Sequence, residues 1–302
     1  MPETQIVLPA RLASTRLPEK LLQKVAGKSV LQHTYESASR ASSASAGVIV
    51  AVDDRRIAEE VESFGGRWIM TPTDCPSGTD RIALVADQFP TTDIFINVQS
   101  DEPEIDPAAI DAVAETLAGD RQADMATAGT PIRSAEALND PAIVKIVMAD
   151  FSPTGDPQTD SQTATRTAAA AGQGTLAVGQ GNLTAGQGRA VYFSRACVPH
   201  RRGGNPAELL AQTPPIYWHH LGLYAYRRDF LSWFAGSPPS MLEETEKLEQ
   251  LRAIEAGKKI VVAAVGPAMP GIDTPEDLAA FRRRIEDPAT SGFSSARYHP
   301  RP

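Results

Sequence analysis

Short apolar runs alternate with amphipathic stretches through the first 150 residues. Ile6-Val7-Leu8, ended by Pro9, reads as a buried strand, and so do Val48–Val52, ended by Asp53-Asp54, and Ile94–Val98. Between and after them, Ser29–Ala41, Arg55–Phe64, Thr79–Gln88 and Pro107–Leu117 repeat apolar residues at the helical period. Continuous apolar strands separated by helices predict βαβ units on a parallel sheet covered on both faces. In such sheets, ligands bind beyond the carboxyl ends of the strands, so the polar residues after Leu8 and Val98 are the first places to look for chemistry. Further on, strands are expected at Ile143–Met148, Ala190–Arg195, Leu221–Tyr226 and Lys259–Val265. Helices are expected at Arg228–Phe234, Glu243–Glu255 and Pro275–Ile285.

Composition changes this picture in one place. From Ser152 to Gly188 the 37 residues include seven Gly, five Gln, seven Thr and seven Ala, and the only large aliphatics are Leu176, Val178 and Leu183. Such a stretch has too little apolar surface to offset the entropy of ordering it, and it reads as a flexible insertion. A single two-lobed domain is therefore expected over 1–285, interrupted at 152–188, with 286–302 as a frayed tail.

Two cysteines, Cys75 and Cys197, lie far apart. That pattern makes neither a disulfide framework nor a zinc site and fits a reducing, cytoplasmic setting. No run of 18 apolar residues exists to cross a membrane. The formal net charge of −8 argues against nucleic acid as the partner, but not against a local cationic pocket for a small anion.

Candidate chemistry lies mostly at strand ends. Leu8–Lys20 follows the first strand and brings in Arg11, Arg16 and Lys20, with small Ala10, Ala13 and Ser14 allowing close approach to the backbone. A polyanion needs donors converging from several directions, and this loop can supply them; the plainer reading is a solvated basic loop. Asp101-Glu102, after the Ile94–Val98 strand, suits Mg²⁺, which takes one or two carboxylates and leaves the rest to water and phosphate; a surface turn is the alternative. Asp273 precedes a helix and reads first as its cap. Ser77–Arg81 can open a helix whose first amides face an acceptor. His220 and Tyr224 share a strand face, where a core histidine is the simpler reading. Gly27-Lys28-Ser29 lacks the upstream glycine of a phosphate loop, and Gly172–Ala177 matches a dinucleotide fingerprint only because the insertion is glycine-rich.

Seven blocks in order resemble the 3-deoxy-manno-octulosonate (Kdo) cytidylyltransferase, or CMP-Kdo synthetase, family. They are LPARLASTRLPEK (Leu8–Lys20), SGTDR (Ser77–Arg81), INVQSDEP (Ile96–Pro103), YFSRA (Tyr192–Ala196), HLGLYAYR (His220–Arg227), LEQLR (Leu248–Arg252) and GIDTPEDL (Gly271–Leu278). The resemblance implies a nucleotidyltransferase-type, Rossmann-like α/β fold: a mostly parallel sheet with helices on both faces and a smaller lobe for sugar binding and dimerisation. It implies a homodimer in which CTP and Kdo react, with Mg²⁺ as cofactor, to give CMP-Kdo and pyrophosphate for lipopolysaccharide synthesis.

By the same resemblance, Leu8, Pro9, Ala10, Arg11, Ser14, Arg16, Lys20, Ser77, Gly78, Arg81 and Asp101 bind the nucleotide, and Asp101 and Asp273 ligate the metal. Arg11, Lys20, Asp101 and Asp273 are then the catalytic set. Gln99, Arg195, His220, Tyr224, Glu249 and Gln250 shape the sugar site, with Arg195 a partner for the sugar carboxylate. Ser100 stands where the family places glycine, so its hydroxyl either joins the site or points away. Within the resemblance, another acidic sugar such as 8-amino-Kdo or a sialic acid is an alternative acceptor, and a non-catalytic nucleotide-sugar sensor is an alternative function.

Overall fold

The computed structural model describes residues 2–153 and 186–286. In chain order, β1 (Thr4–Ala10) leads through a short hairpin of β2 (Lys24–Val25) and β3 (Lys28–Ser29) into α1 (Val30–Ala38). Next come β4 (Val48–Val52), α2 (Arg55–Ser63), β5 (Trp68–Met70), α3 (Gly78–Ala86), β6 (Ile94–Asn97) and α4 (Pro107–Gly119). The second half begins with β7 (Met125–Pro131), α5 (Ala135–Asn139), β8 (Lys145–Pro153) and β9 (Gly186–Ser194). It ends with β10 (Trp218–Arg227), α6 (Arg228–Ala235), α7 (Met241–Glu246), α8 (Gln250–Glu255), β11 (Ile260–Ala264) and α9 (Pro275–Glu286).

All strands except the β2–β3 hairpin join one nine-stranded sheet in the order β5-β4-β1-β6-β10-β7-β11-β9-β8. From β5 to β6 every pairing is parallel, as the strand–helix alternation requires. Beyond β6 the sheet is mixed: β10 runs antiparallel to both β6 and β7, β11 is parallel to β7, and β9 antiparallel to β11. The start of β10 also pairs with β8, so this half curls back on itself. Alternation along β1 sends Ile6 and Leu8 to one apolar cluster, with α1, α2 and α4, and Val7 to another, with α3, α6 and α8. Both faces are therefore covered, as the continuous apolar strands predict.

Helix ends are fixed by local chemistry. Ser29, Asp54, Ser77 and Asp106 accept backbone N–H bonds as N-caps. Arg227 and Arg228, leaving β10 in opposite directions, donate to carbonyls at the ends of α4 (Leu117) and α3 (Ala86). One strand end thus pins a helix on each face.

Three expectations need correction. Order does not stop at Met148 or resume at Ala190: β8 and β9 continue as a ladder to Pro153 opposite Gly186, so the ends of the presumed insertion are strands. The remainder of that stretch, residues 154–185 with the Gly172–Ala177 pattern, and residues 287–302 of the expected tail lie outside the described residues. The Glu243–Glu255 helix is broken, because Lys247 takes the left-handed conformation (φ 54°) between α7 and α8. Finally, β5 and β7 are strands that the hydrophobic pattern does not reveal. Ala26-Gly27, both at positive φ, is the turn of the β2–β3 hairpin and Lys28-Ser29 its second strand, so Gly27-Lys28-Ser29 is part of a hairpin rather than a phosphate loop.

Candidate active site

Charged groups gather where β1 and β6 end. The chain leaves β1 through Arg11 and returns by Lys20, whose Nζ bridges Asp101 and Asp273, the latter at 2.9 Å. Arg16 reaches the other oxygen of Asp273 at 3.0 Å. Asp273 is not the helix cap that its position suggests: Thr274 Oγ1 accepts from Asp277 N–H instead, leaving both Asp273 oxygens to the cations. The two acidic loops are joined by the backbone, since Ile272 N–H donates to the Asp101 carbonyl at 2.8 Å.

Burial alone would lower the Lys20 pKa, but the Asp101 and Asp273 carboxylates outweigh it and raise it. Glu102, beside Asp101, is pushed up to about 8 by burial and by that neighbouring charge. Among the described residues no cluster of three or more His, Cys, Asp or Glu could hold a metal. Two carboxylates converging on one cationic atom are nevertheless the donor set Mg²⁺ takes when phosphate oxygens and water complete its shell.

Ser100 points away from the acids. Its hydroxyl donates to the Pro9 carbonyl at 2.7 Å and its own carbonyl accepts from Thr34. The added side chain therefore ties the end of β6 to the end of β1.

A second group lies beside Arg11. Its Nη2 donates to the Cys75 carbonyl at 2.7 Å, which draws the β1 loop toward the start of α3. Ser77 caps α3 through Asp80 N–H. Arg81 is fully buried, donates to Thr71 and faces Asp53 at 3.7 Å, yet its Nε and Nη2 have no hydrogen-bond partner. Burial holds its pKa down. Orphan donors on a buried guanidinium are costly, and a ligand acceptor is what would satisfy them. Leu8 and Ala10 are core side chains, so only their backbone can meet a ligand. Asp53, which also fixes Leu12 N–H at 2.9 Å, joins the site without having been singled out from the sequence, although it too ends a strand.

The third group is buried or half-buried and mostly polar. Along β10, the His220 and Tyr224 rings meet at 5.4 Å across a bulge, between Leu221 and Tyr224. The bulge turns the Gly222 carbonyl toward Gln99 Nε2 at 3.4 Å. Tyr224, Tyr226, Thr79, Glu249 and Gln250 bound a small interior cavity, into which the unpartnered amide of Gln250 is buried. Thr79 donates to Glu249 at 2.9 Å. Burial raises the Glu249 carboxyl and the Tyr224 hydroxyl, and burial with help from His219 pushes His220 down to about 3. His220 is thus neutral at physiological pH.

Arg195 makes no hydrogen bond to these residues. Its guanidinium donates to the carbonyls of Glu246 (2.8 Å) and Pro141 (3.1 Å), and so braces the segment that leads into Glu249. Beneath it, Lys145 is fully buried and donates to the carbonyls of Asp140 and Arg195. Nothing in the sequence marks Lys145 as a buried strand lysine.

A cationic loop and two convergent carboxylates at the carboxyl ends of parallel strands, linked through Gln99 to a polar cavity, define an enzyme that handles a polyanionic nucleotide together with a small polar co-substrate. A cytidylyltransferase family profile matches residues 5–260, and the chain belongs to that family. It is 53% identical over 281 residues (93% of this chain, 98% of the relative) to the 3-deoxy-manno-octulosonate cytidylyltransferase of Rhodopirellula baltica. The enzyme of the same name from Geobacter sulfurreducens is 40% identical over 283 residues, covering 93% and 98% of the two chains. A solved CMP:2-keto-3-deoxy-manno-octonic acid synthetase complexed with CTP superposes with a TM-score of 0.74 at 35% identity, covering 94% of this chain and 98% of that one.

Proposed function

We infer that this chain transfers CMP from CTP to the anomeric hydroxyl of Kdo, releasing pyrophosphate and forming CMP-Kdo for lipopolysaccharide synthesis. The observation that carries the reading is the link between the Lys20–Asp101–Asp273 cluster and the cavity bounded by Tyr224 and Glu249: Gln99, two residues before Asp101, donates to the Gly222 carbonyl in the β10 bulge that also carries Tyr224. Strong identity over nearly the whole chain to relatives of that name supports it.

The sugar hydroxyl attacks the α-phosphorus in line with the departing pyrophosphate, so no protein nucleophile is needed. Arg11, Arg16 and Lys20 bind and neutralise the triphosphate, and Arg81 offers its orphan donors to the nucleoside. Asp101 and Asp273 are the residues that would hold Mg²⁺; when bound, it supplies the charge neutralisation that phosphoryl transfer requires. With a nucleotide present, Lys20 can exchange a carboxylate for a phosphate oxygen. Gln99, His220, Tyr224, Glu249 and Gln250 orient the sugar and exclude water. We take the enzyme to work in the cytoplasm as a homodimer, a reading supported by its free thiols and by the family resemblance. No helix among the described residues is long and apolar enough to cross a membrane.

Pyrophosphate release from CTP and Mg²⁺ with a panel of acidic sugars tests the reading. Release with Kdo is expected. Release with sialic acid or 8-amino-Kdo but not Kdo would replace the acceptor, and CTP binding without release for any sugar would make the protein a sensor.

A further inference from the structure

The hydroxyl of Thr127, on β7, meets three groups of the neighbouring β10. Its Oγ1 lies 2.9 Å from the Leu223 carbonyl, 3.3 Å from the Leu221 carbonyl and 3.0 Å from His220 Nε2. Thr127 is fully buried, so no water adjusts these bonds. A threonine hydroxyl has one proton to give. Both carbonyls can only accept; Leu221 is the last residue in register before the β10 bulge and Leu223 lies within it. If the proton went to His220, two carbonyl oxygens would face an oxygen lone pair with no hydrogen between them. The proton therefore goes to Leu223, shared with Leu221, and Oγ1 must accept from the ring.

We propose that Thr127 is a positioning residue that fixes His220 as the Nε2–H tautomer, so that the imidazole presents a bare Nδ1 acceptor to a hydroxyl of the bound sugar. Nδ1 has no hydrogen-bond partner among the described residues. The ring is held edge-on by Phe193 at 5.1 Å and against Tyr224 at 5.4 Å, so it cannot turn to exchange its nitrogens without disturbing both. Burial keeps it neutral, with a single ring proton to place. A neutral acceptor discriminates by hydrogen bonding rather than charge, and a site built in that way rejects analogues that lack the donor. The functional half of the proposal rests on the sugar-site reading above; the tautomer does not.

Two readouts separate them. In ¹⁵N-histidine-labelled protein without substrates, long-range ¹H–¹⁵N spectra, assigned through His220→Gln, should show the His220 proton on Nε2. Thr127→Val keeps the shape and removes the acceptor. It should abolish the single-tautomer signature and raise the KM for the acceptor sugar about tenfold, the scale of one lost hydrogen bond, with the KM for CTP within about twofold. Thr127→Ser should recover most of the lost sugar affinity. A wild-type proton on Nδ1 overturns the proposal, whether or not the valine variant folds. So does a folded Thr127→Val enzyme that keeps the wild-type sugar KM. Failure of Kdo as substrate, with the Nε2 signature intact, would instead overturn the choice of sugar.

Discussion

The two ends of the site are built on opposite principles. At the nucleotide end, Arg16, Lys20, Asp101 and Asp273 are charged, partly exposed and carried by loops that leave strands or precede a helix. They neutralise one another in the free protein and can exchange partners when phosphate arrives. At the sugar end, His220 is buried and Tyr224 and Glu249 are half-buried, held by a strand face and the start of a helix, with burial opposing their charged forms. On the function proposed above, the first end meets a ligand that brings its own charge, and the second a ligand recognised by its hydroxyls. Net charge describes neither end, since a −8 chain assembles its cations locally.

The largest effect that separates the ends should come from Asp101→Ala. It removes one of the two carboxylates around Lys20, and turnover should fall by about 10²–10³-fold, on the scale of losing one preorganised electrostatic group. CTP binding, followed by calorimetry, should survive in part through Arg11, Arg16 and Lys20. Unchanged turnover would remove Asp101 from the chemistry.

His220 gives the next effect, in stability. Its folded pKa of about 3 lies below the ordinary 6.5, so the unfolded chain binds more protons between these values. The stability of neutral His220 is complete above about pH 6.5 and is lost as the pH falls toward about 3. Urea unfolding across that window should show a shallower acid loss in His220→Gln than in wild type. An identical slope would contradict the buried neutral imidazole.

Ser100→Ala should cost about 1 kcal/mol, typical of one net hydrogen bond, read as a lowered urea midpoint. The KM for CTP should rise a few-fold, because the Pro9 carbonyl loses its tie to the Asp101 loop. Smallest of all, replacing residues 154–185 by an Asn-Gly turn between Pro153 and Gly186, which already face each other across the β8–β9 ladder, should leave kcat within about twofold. A large loss would mean that the replaced residues contribute to catalysis.

The same contrast explains what the sequence disclosed. The charged end was legible because strands ending in polar residues are a local signal, and β4 is matched residue for residue by its apolar run. Asp53 would have been found by the same rule applied once more. Most of the sugar end came through resemblance, since nothing in one chain says that Glu249 meets Thr79 from 170 positions away. β7 was missed because Met125-Ala-Thr-Ala-Gly-Thr-Pro131 has few of the bulky residues that mark a strand. Its small side chains answer a tertiary demand: a Cβ on Gly129 would approach Ile146 to 3.1 Å and Val262 to 3.2 Å. Thr127, in the same strand, could only be recognised once β10 was seen to bulge beside it. Likewise, no glycine or proline marks the break at Lys247 that starts α8 afresh beside Glu249.

The most direct test of this division of labour is one steady-state comparison of Arg11→Ala with His220→Gln, each measured against both substrates. Arg11→Ala should raise the KM for CTP about tenfold and leave that for Kdo within about twofold, whereas His220→Gln should do the reverse. If both variants move both constants together, the two ends are not separate binding surfaces and the account is wrong.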